Sequence, residues 1–297
     1  MKNEALAKVI KRVQKTYAGW SKDTSVADMR VDWDNLFNGN TTPVETCDFH
    51  INALHCRWIA HQNADSNKVL LYFHGGGFRL GSIDSHQDLM ARISQFSGCK
   101  VLGINYRLIP EHRFPAALED AFNAYSWLLN NGYSSNQIAI AGDSAGGNLV
   151  GALLNQLNSL DIALPAAAVM LSPWLDMKAT SDTYQSRAKF DPIHQHKMIL
   201  ALARDYLRTE ADADDPLASP LCASLDGLPP LLIQVGDHEV GLGDSIQYAD
   251  KATNAGVEVE LEVWDEMIHA FHLFAADLPE ANRAIEKIGE FLRQRLN

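Results

Sequence analysis

Residues 138–147 read IAIAGDSAGG, and they place a serine between a buried-strand pattern and a helical pattern. The run Ile138–Ala141 is short and apolar, whereas the residues after Gly146 follow a helical spacing. A G-x-S-x-G turn in this setting lifts the serine hydroxyl above the sheet, and its glycines permit the sharp bend. Ser144 is therefore the candidate nucleophile. The Ala145 N–H, at the start of the helix, is a candidate donor to a developing oxyanion.

Apolar runs and helical patterns alternate along the chain from about residue 68 onward. The predicted buried strands are Val69–Phe73, Val101–Asn105, Ile138–Ala141, Ala167–Leu171 and Leu231–Val235. The predicted helices cover about residues 86–97, 115–131, 145–158, 194–209 and 242–255. This alternation is typical of βαβ units, and it predicts an α/β fold with a mostly parallel central sheet and helices on both faces.

The segment Val257–Trp264 has a different pattern, in which apolar residues alternate with Glu258, Glu260 and Glu262. A period of two predicts a strand with one wet face, at or near an edge of the sheet.

Two regions fall outside this alternation, and both are predicted to form a small helical cap over the carboxyl edge of the sheet. Residues 1–45 begin with a helix that places Leu6, Val9, Ile10 and Val13 on one face, and then become rich in Gly, Asn and Asp. Residues 178–212 are polar at first and become helical at about Pro192. Residues 46–177 and 213–297 are assigned to the catalytic domain.

A second motif, His74-Gly75-Gly76-Gly77, follows the predicted strand at residues 69–73. Glycines can turn their N–H groups inward, so we expect Gly75 and Gly76 to supply further oxyanion donors. A flexible turn or a loose nucleotide-binding loop is the alternative. The strict G-x-G-x-x-G pattern is absent, because position 80 is Leu.

The nucleophile needs a base, and the base needs a carboxylate that orients it. Glu239 follows one predicted strand and His269 follows another, so both should lie at the carboxyl edge near Ser144. We assign Glu239 as the acid and His269 as the base. Asp237 and Asp244 are the alternative acids, and His238 and His272 are the alternative bases. Asp143 is adjacent to the serine in sequence, and we expect it to orient nearby backbone.

Composition excludes several other classes of protein. A net charge of −12 argues against nucleic acid binding, which needs a basic surface. No apolar run is long enough to span a bilayer, and the start has no apolar core of a secretory signal, so a cytoplasmic protein is expected. The four widely spaced cysteines are expected to be reduced thiols. The spacing of His194 and His196 is compatible with zinc, but we predict no metal and no other cofactor.

Taken together, the motifs resemble those of the hormone-sensitive-lipase-like bacterial esterases, the HGGG/GDSAGG branch of the α/β-hydrolases. The similar segments run in order between about residues 69 and 274: HGGGF at 74–78, YRLIPEHRFPAA at 106–117, GDSAGG at 142–147, DPLASP at 215–220 and MIHAF at 267–271. The resemblance implies the α/β-hydrolase fold, a Ser–acid–His triad, an oxyanion hole from Gly75, Gly76 and Ala145, and a helical cap. It also implies a possible homodimer through an edge strand, here Val257–Val263.

This sequence differs from the family pattern at the acid of the triad. Most members carry Asp where Glu239 aligns, although Glu is chemically sufficient because it need only accept the imidazole N–H. For the 106–117 segment, we expect Glu111, His112 and Arg113 to form a buried polar network below the nucleophile.

The expected function is hydrolysis of short- to medium-chain acyl esters, an expectation that rests on the resemblance and on the small cap. A related amidase, lactonase or carbamate hydrolase is the alternative, and a non-catalytic binding module on the same scaffold is a second one. Aromatic residues of the cap are expected either to line the substrate pocket or to hold the cap to the core: Trp20, Trp33, Phe37 and Phe190.

Overall fold

The central sheet of the protein has eight strands in the computed structural model, which describes residues 4–37, 39 and 41–296. The strands are β1 (Glu45–Ile51), β2 (Leu54–Ala60), β3 (Asp65–Phe73), β4 (Cys99–Ile104), β5 (Ile138–Asp143), β6 (Ala167–Leu171), β7 (Leu231–Gly236) and β8 (Val259–Trp264). Residues 1–3, 38 and 40 of the predicted cap and residue 297 of the predicted catalytic domain lie outside the described residues.

The α-helices lie between and around these strands. They are α1 (Glu4–Ala18), α2 (Val26–Phe37), α3 (Ile83–Ser97), α4 (Ala116–Asn130), α5 (Ala145–Ser159), α6 (Thr183–Ser186), α7 (His196–Tyr206), α8 (Leu242–Asn254) and α9 (Pro279–Arg295). Within the described ranges, no helix combines the length and the apolar character needed to cross a bilayer.

The strand order is β1-β2-β4-β3-β5-β6-β7-β8. Strands β3 to β8 are parallel to one another, while β2 is antiparallel to both β1 and β4. One apolar cluster, which includes side chains of α4, α5 and α8, covers one face of the sheet, and a second, with α1, α3 and α9, covers the other. The α/β-hydrolase fold is confirmed, including all five predicted buried strands.

Parallel order determines where the site can form. The carboxyl ends of β3, β5, β7 and β8 lie at one edge of the sheet, because these strands run in the same direction. The HGGG segment, Ser144, Glu239 and His269 each follow one of these ends. Four stretches that are distant in sequence are therefore brought to one edge.

The first two strands and α2 were not predicted from the sequence. Strand β1 is exposed along most of its length, so its residues do not show the apolar run of a buried strand. Helix α2 carries three aspartates among its twelve residues and buries only Trp33 below the surface. Strand β1 and helix α2 form because neighbouring elements cover part of them, and this tertiary contact cannot be predicted from a local sequence pattern.

The edge position of β8 is confirmed, and its predicted wet face is confirmed at Glu258 and Glu260, which are exposed, but the pattern reverses at the end of the strand. Glu262 is mostly buried, where it accepts a hydrogen bond from Gln234 and pairs with Lys287 of α9. Val263, on the face predicted to be buried, is 47% exposed. The alternation therefore predicts exposure as far as Leu261, and it fails only where Lys287 of α9 packs on Glu262.

The predicted cap segments contain α1 and α2, and then α6 and α7. The predicted apolar face of α1 is confirmed, since Leu6, Val9 and Val13 are buried. Helix α7 begins at His196, slightly later than expected. The buried network of residues 111–113 is wrong: all three residues are exposed, and Glu111 forms a bidentate ion pair with Arg30 of α2.

Candidate active site

The turn after β5 holds Ser144 in a strained backbone conformation, with φ 53° and ψ −116°. A non-glycine residue with positive φ persists only where its surroundings enforce it. Here the Ser144 N–H donates to the carbonyl of Leu171 at 2.9 Å. A Cβ on Gly146 would lie 2.0 Å from the carbonyl oxygen of Phe73, so only glycine lets the helix begin this close to the sheet.

His269 and Glu239 form a buried pair at the same edge. Nδ1 of His269 lies 2.8 Å from Oε2 of Glu239. The other carboxylate oxygen of Glu239 accepts hydrogen bonds from the Ser172 hydroxyl at 2.6 Å and from the Gly236 N–H. The Ser172 hydroxyl in turn accepts the N–H of Ala270, at 3.0 Å. One carboxylate therefore fixes both the ring of His269 and the loop that carries it.

His269 and Ser144 both line one cavity at this edge of the sheet. Nε2 is buried and has no hydrogen-bond partner in the described part of the chain. Burial would lower the pKa of His269, but the negative charge and hydrogen bond of Glu239, helped by Asp191 and Asp143, raise it above its ordinary value. The ring can therefore accept a proton at Nε2 while Nδ1–H stays bound to the carboxylate.

The alternative acids are engaged elsewhere. Asp237 forms an ion pair with Arg187 at 2.8 Å. Asp244 is fully buried, and its Oδ2 accepts the N–H groups of Leu175 and Asp176 and the hydroxyl of Tyr184.

The alternative bases are engaged as well. His238 stacks on Phe190 with ring centroids 5.2 Å apart. Nε2 of His272 pairs with the side-chain oxygen of Gln234 at 2.9 Å. Burial lowers the pKa of His272 to about 3, so this ring stays neutral.

The expected role of Gly75 does not fit the structure. Its N–H donates to Oδ1 of Asp143 at 3.0 Å and is therefore not available to an oxyanion. Gly76 and Gly77 line the cavity beside Ser144, with φ of 115° and 64°. Neither of their N–H groups donates a hydrogen bond within the described residues. Gly77 was missed because the motif gives three glycines but not the direction of each N–H.

Asp143 lies at the centre of a buried network that supports this loop, as expected. Besides the Gly75 N–H, it accepts the Tyr72 hydroxyl at 2.8 Å and lies 3.2 Å from Nε2 of His86. Burial alone would raise the pKa of Asp143, but His86 and the Tyr72 hydroxyl lower it below its ordinary value. The carboxylate is thus ionised and holds the first glycine of the motif in place.

The cavity lined by Ser144 and His269 has a volume of about 260 Å³. The predicted cap contributes an apolar wall to it: Val13, Tyr17, Trp20, Met29, Trp33, Leu36, Phe37, Ile193, Met198, Ala201 and Leu202. Trp20, Trp33 and Phe37 therefore line the pocket, whereas Phe190 does not line it and is 40% exposed. A much smaller cavity, of about 20 Å³, lies against Trp174 and Tyr184 and shares Ser144 and His269 with the first.

No group of three or more His, Cys, Asp or Glu side chains in residues 4–37, 39 and 41–296 is arranged to hold a metal ion. His194 and His196 point to different neighbours: the first ring packs on His269, and the second on Tyr184. All four cysteines are unpaired, Cys47 and Cys222 at the surface and the other two in the core.

Comparison with known proteins agrees with this geometry. A family described as the alpha/beta hydrolase fold matches residues 70–273. An acetyl-hydrolase of Streptomyces hygroscopicus is 42% identical over 241 residues, which are 80% of each chain.

Solved structures match over nearly the whole length. The crystal structure of an esterase from the bacterial hormone-sensitive lipase family is 40% identical, with a TM-score of 0.96 and 100% of both chains covered. EstE5, in a crystal soaked with p-nitrophenyl butyrate, is 38% identical, with a TM-score of 0.92 and 99% of both chains covered. The chain therefore belongs to the hormone-sensitive-lipase-like esterases of the α/β-hydrolase fold, and it is a carboxylesterase of the serine hydrolase class.

Proposed function

We propose that this carboxylesterase hydrolyses short- to medium-chain acyl esters with Ser144 as nucleophile, His269 as base and Glu239 as acid. The observation that carries the proposal is the arrangement of His269, whose Nδ1 is bound to Glu239 while its Nε2 is left unpaired at the cavity that Ser144 lines. A base oriented on one side and open on the other is what an acyl transfer by serine requires.

In the first half of the proposed reaction, the Ser144 oxygen attacks the ester carbonyl carbon and its proton passes to Nε2 of His269. The carbonyl π electrons move to oxygen, and the resulting oxyanion is bound by the N–H groups of Gly76, Gly77 and Ala145. The tetrahedral intermediate then collapses. Its C–O bond to the alcohol breaks, and His269 returns the proton to the departing alkoxide.

In the second half, water attacks the acyl-enzyme. His269 takes a proton from the water, the second tetrahedral intermediate forms in the same oxyanion site, and the bond to Ser144 breaks. His269 protonates the serine oxygen, and the carboxylic acid leaves. Glu239 accepts the Nδ1–H of His269 and stabilises the imidazolium in both halves.

The size of the cavity supports the proposed chain length. At about 260 Å³, it lies just below the roughly 300–1,000 Å³ of sites that hold drug-sized ligands. Its wall is apolar apart from a few groups, which suits a short hydrocarbon chain. The names of the relatives agree, one being called an acetyl-hydrolase and another having been soaked with a butyrate ester.

Amides, lactones and carbamates remain alternative substrates, because the same three side chains would serve all of them. A matched pair of ester and amide with the same acyl group separates these possibilities. An ester turnover higher than the amide turnover supports the proposal, whereas a preference for the amide contradicts it. The non-catalytic alternative is not retained, since the chain is a carboxylesterase by family.

The decisive experiment is hydrolysis of p-nitrophenyl esters from acetate to palmitate by the wild type and by Ser144→Ala. We expect kcat/KM to peak between acetate and octanoate, and to fall by at least about 10⁵-fold in the variant. Circular dichroism of the variant shows whether the fold is retained. Activity that survives in a folded Ser144→Ala protein would exclude the mechanism, and a maximum at palmitate would exclude the proposed substrate range.

The homodimer and the cytoplasmic location stay predictions. The edge strand β8 has a partly exposed face that includes Val263, which supports edge-to-edge pairing. Size-exclusion chromatography with light scattering tests the dimer, and cell fractionation tests the location.

A further inference from the structure

His194 packs directly on the candidate base. The rings of His194 and His269 have centroids 4.3 Å apart and are nearly perpendicular, at 85°. His194 also lines both cavities, together with Ser144. It belongs to the segment before α7, in the predicted cap, so a cap residue forms part of the immediate surroundings of His269.

The His194 ring is suited to pack on a base without competing with it. Burial, and then the positive charge that His269 carries when protonated, hold the pKa of His194 well below its ordinary value. A neutral ring does not repel the imidazolium that forms on His269. It also covers part of the His269 ring, whose Nδ1 Glu239 holds.

A buried carboxylate, Asp191, fastens the His194 segment to the acid loop. Its Oδ1 accepts the N–H groups of Ile193 and His194, both at 2.9 Å. Its Oδ2 accepts the N–H of Val240, also at 2.9 Å, and Val240 directly follows Glu239. One side chain therefore connects the segment that packs on His269 with the segment that orients it.

We propose that His194 is a positioning residue for His269, held in place by Asp191, so that this cap segment helps to set the orientation of the base. The inference rests on the proposed role of His269 in ester hydrolysis. The charged and titratable groups that interact with His269 are Glu239, Asp191, Asp143, His272 and His194 itself. Asp191 and His194 belong to the predicted cap segment, and both can be changed without touching the candidate triad.

The test compares His194→Phe, His194→Ala and Asp191→Asn with a matched control, His196→Phe, which changes a histidine two residues away. His194→Phe keeps an aromatic ring, so kcat should stay within about threefold of the wild type. His194→Ala removes the ring and frees His269 to tilt, so kcat should fall by about 10- to 100-fold with a smaller change in KM. His196→Phe should leave the activity unchanged.

The pH profile of kcat/KM distinguishes positioning from simple structural support. Because His194→Ala admits water to His269, it relieves the burial that lowers the pKa of this ring, and the acid limb should move to higher pH. Asp191→Asn removes a negative charge that raises the same pKa, so the acid limb should move to lower pH. Shifts in opposite directions are the signature of the proposal.

Thermal unfolding of each variant accompanies the kinetics. Should His194→Ala fail to fold, the comparison of His194→Phe and Asp191→Asn with the control decides. Unshifted pH profiles, or a loss in His194→Phe as large as that in His194→Ala, would overturn the positioning role. These outcomes can be measured only with an active wild type. If instead the proposed function is wrong, the wild type is inactive or its activity survives Ser144→Ala.

Discussion

Two carboxylate–histidine pairs lie at the carboxyl edge of the sheet, and they differ in what the histidine leaves unpaired. In the first pair, Glu239 holds Nδ1 of His269 and the remaining nitrogen has no partner within the described residues. In the second, Asp143 holds Nε2 of His86, and the remaining nitrogen is bound to the hydroxyl of Ser85 at 2.9 Å.

The difference shows which pair can take part in chemistry. His86 has no exposed side-chain surface and no free nitrogen, so it can only support the loop through Asp143. The His269 side chain keeps 13% of its surface exposed, lines the cavity together with Ser144, and leaves Nε2 without a partner in the described residues. The Asp143–His86 pair thus supports the loop, whereas the Glu239–His269 pair contains the candidate base.

The largest expected effect comes from changing each carboxylate to its amide. In Glu239→Gln, the amide oxygen stays with the Ser172 and Gly236 donors, so the amide NH₂ faces Nδ1 of His269. Nδ1 must then accept, which moves the ring proton to Nε2, the nitrogen that has to take the proton of Ser144. We expect kcat/KM for p-nitrophenyl acetate to fall by about 10⁴-fold.

Asp143→Asn is the matched comparison for that variant. It should lower the free energy of unfolding by about 3–5 kcal/mol, because it leaves buried donors poorly paired, and it should reduce kcat/KM far less than Glu239→Gln does. Urea unfolding and ester kinetics on both variants measure the two effects. If Asp143→Asn lost more activity per folded molecule than Glu239→Gln, the assignment of the two pairs would have to be exchanged.

Sequence patterns predicted the parts of the molecule that local chemistry determines. The strands from β3 to β7 are buried on both faces, so each is an apolar run that the sequence displays. The elbow around Ser144 could be located because the strand, the glycines and the helix are contiguous. The positions of Glu239 and His269 followed from the ends of two further strands.

The remaining features depend on groups that are distant in sequence. Glu111 was expected in a buried network, but its partner is Arg30, 81 residues earlier. The unavailability of the Gly75 N–H follows from Asp143, which accepts it across 68 residues. The contact of His194 with His269 likewise joins separate segments. None of these pairings leaves a periodic pattern that could predict it.

A third buried carboxylate, Asp244, is not paired with a histidine in the described residues. Its effect should appear in the pH dependence of stability. Burial, with the nearby charge of Asp176, raises the pKa of Asp244 to about 7. Its Oδ1 has no hydrogen-bond partner in the described chain, and a buried oxygen without a partner stabilises a negative charge poorly. The folded state therefore binds a proton that the unfolded state, with a pKa near 3.9, has already lost at neutral pH.

Because the pKa of Asp244 is higher in the folded than in the unfolded state, its contribution to the free energy of unfolding decreases as the pH rises. The contribution of Asp244 to stability is fully present below about pH 4 and is lost as the pH rises through about 7. Between pH 5 and pH 8, the wild type should lose about 2–3 kcal/mol more unfolding free energy than Asp244→Asn, whose amide mimics the protonated acid. Urea unfolding at both pH values measures this, and parallel pH dependence of the two proteins would contradict the raised pKa.

The smallest expected effect tests whether the Asp143 carboxylate is ionised in the folded protein. Tyr72 and Tyr106 are both buried, but the Tyr72 hydroxyl donates to the Asp143 carboxylate at 2.8 Å, whereas that of Tyr106 donates to the neutral carbonyl of His74 at 2.7 Å. Hydrogen bonds to charged groups contribute about 1.5–3 kcal/mol and neutral ones about 0.5–1.5 kcal/mol. Tyr72→Phe should therefore lower the free energy of unfolding by about 1 kcal/mol more than Tyr106→Phe.

Both changes remove a single hydroxyl, so each tyrosine variant serves as the control for the other in urea unfolding, provided that the dependence on denaturant is unchanged. Equal losses would mean that Asp143 is not ionised in the folded protein. The hydrogen bonds around Asp143 would then form a neutral network. The two carboxylate–histidine pairs would differ in charge as well as in the unpaired nitrogen of His269. A larger loss in Tyr72→Phe, with kcat/KM within about tenfold of the wild type, would place the charge of Asp143 in the support of the fold and not in the chemistry.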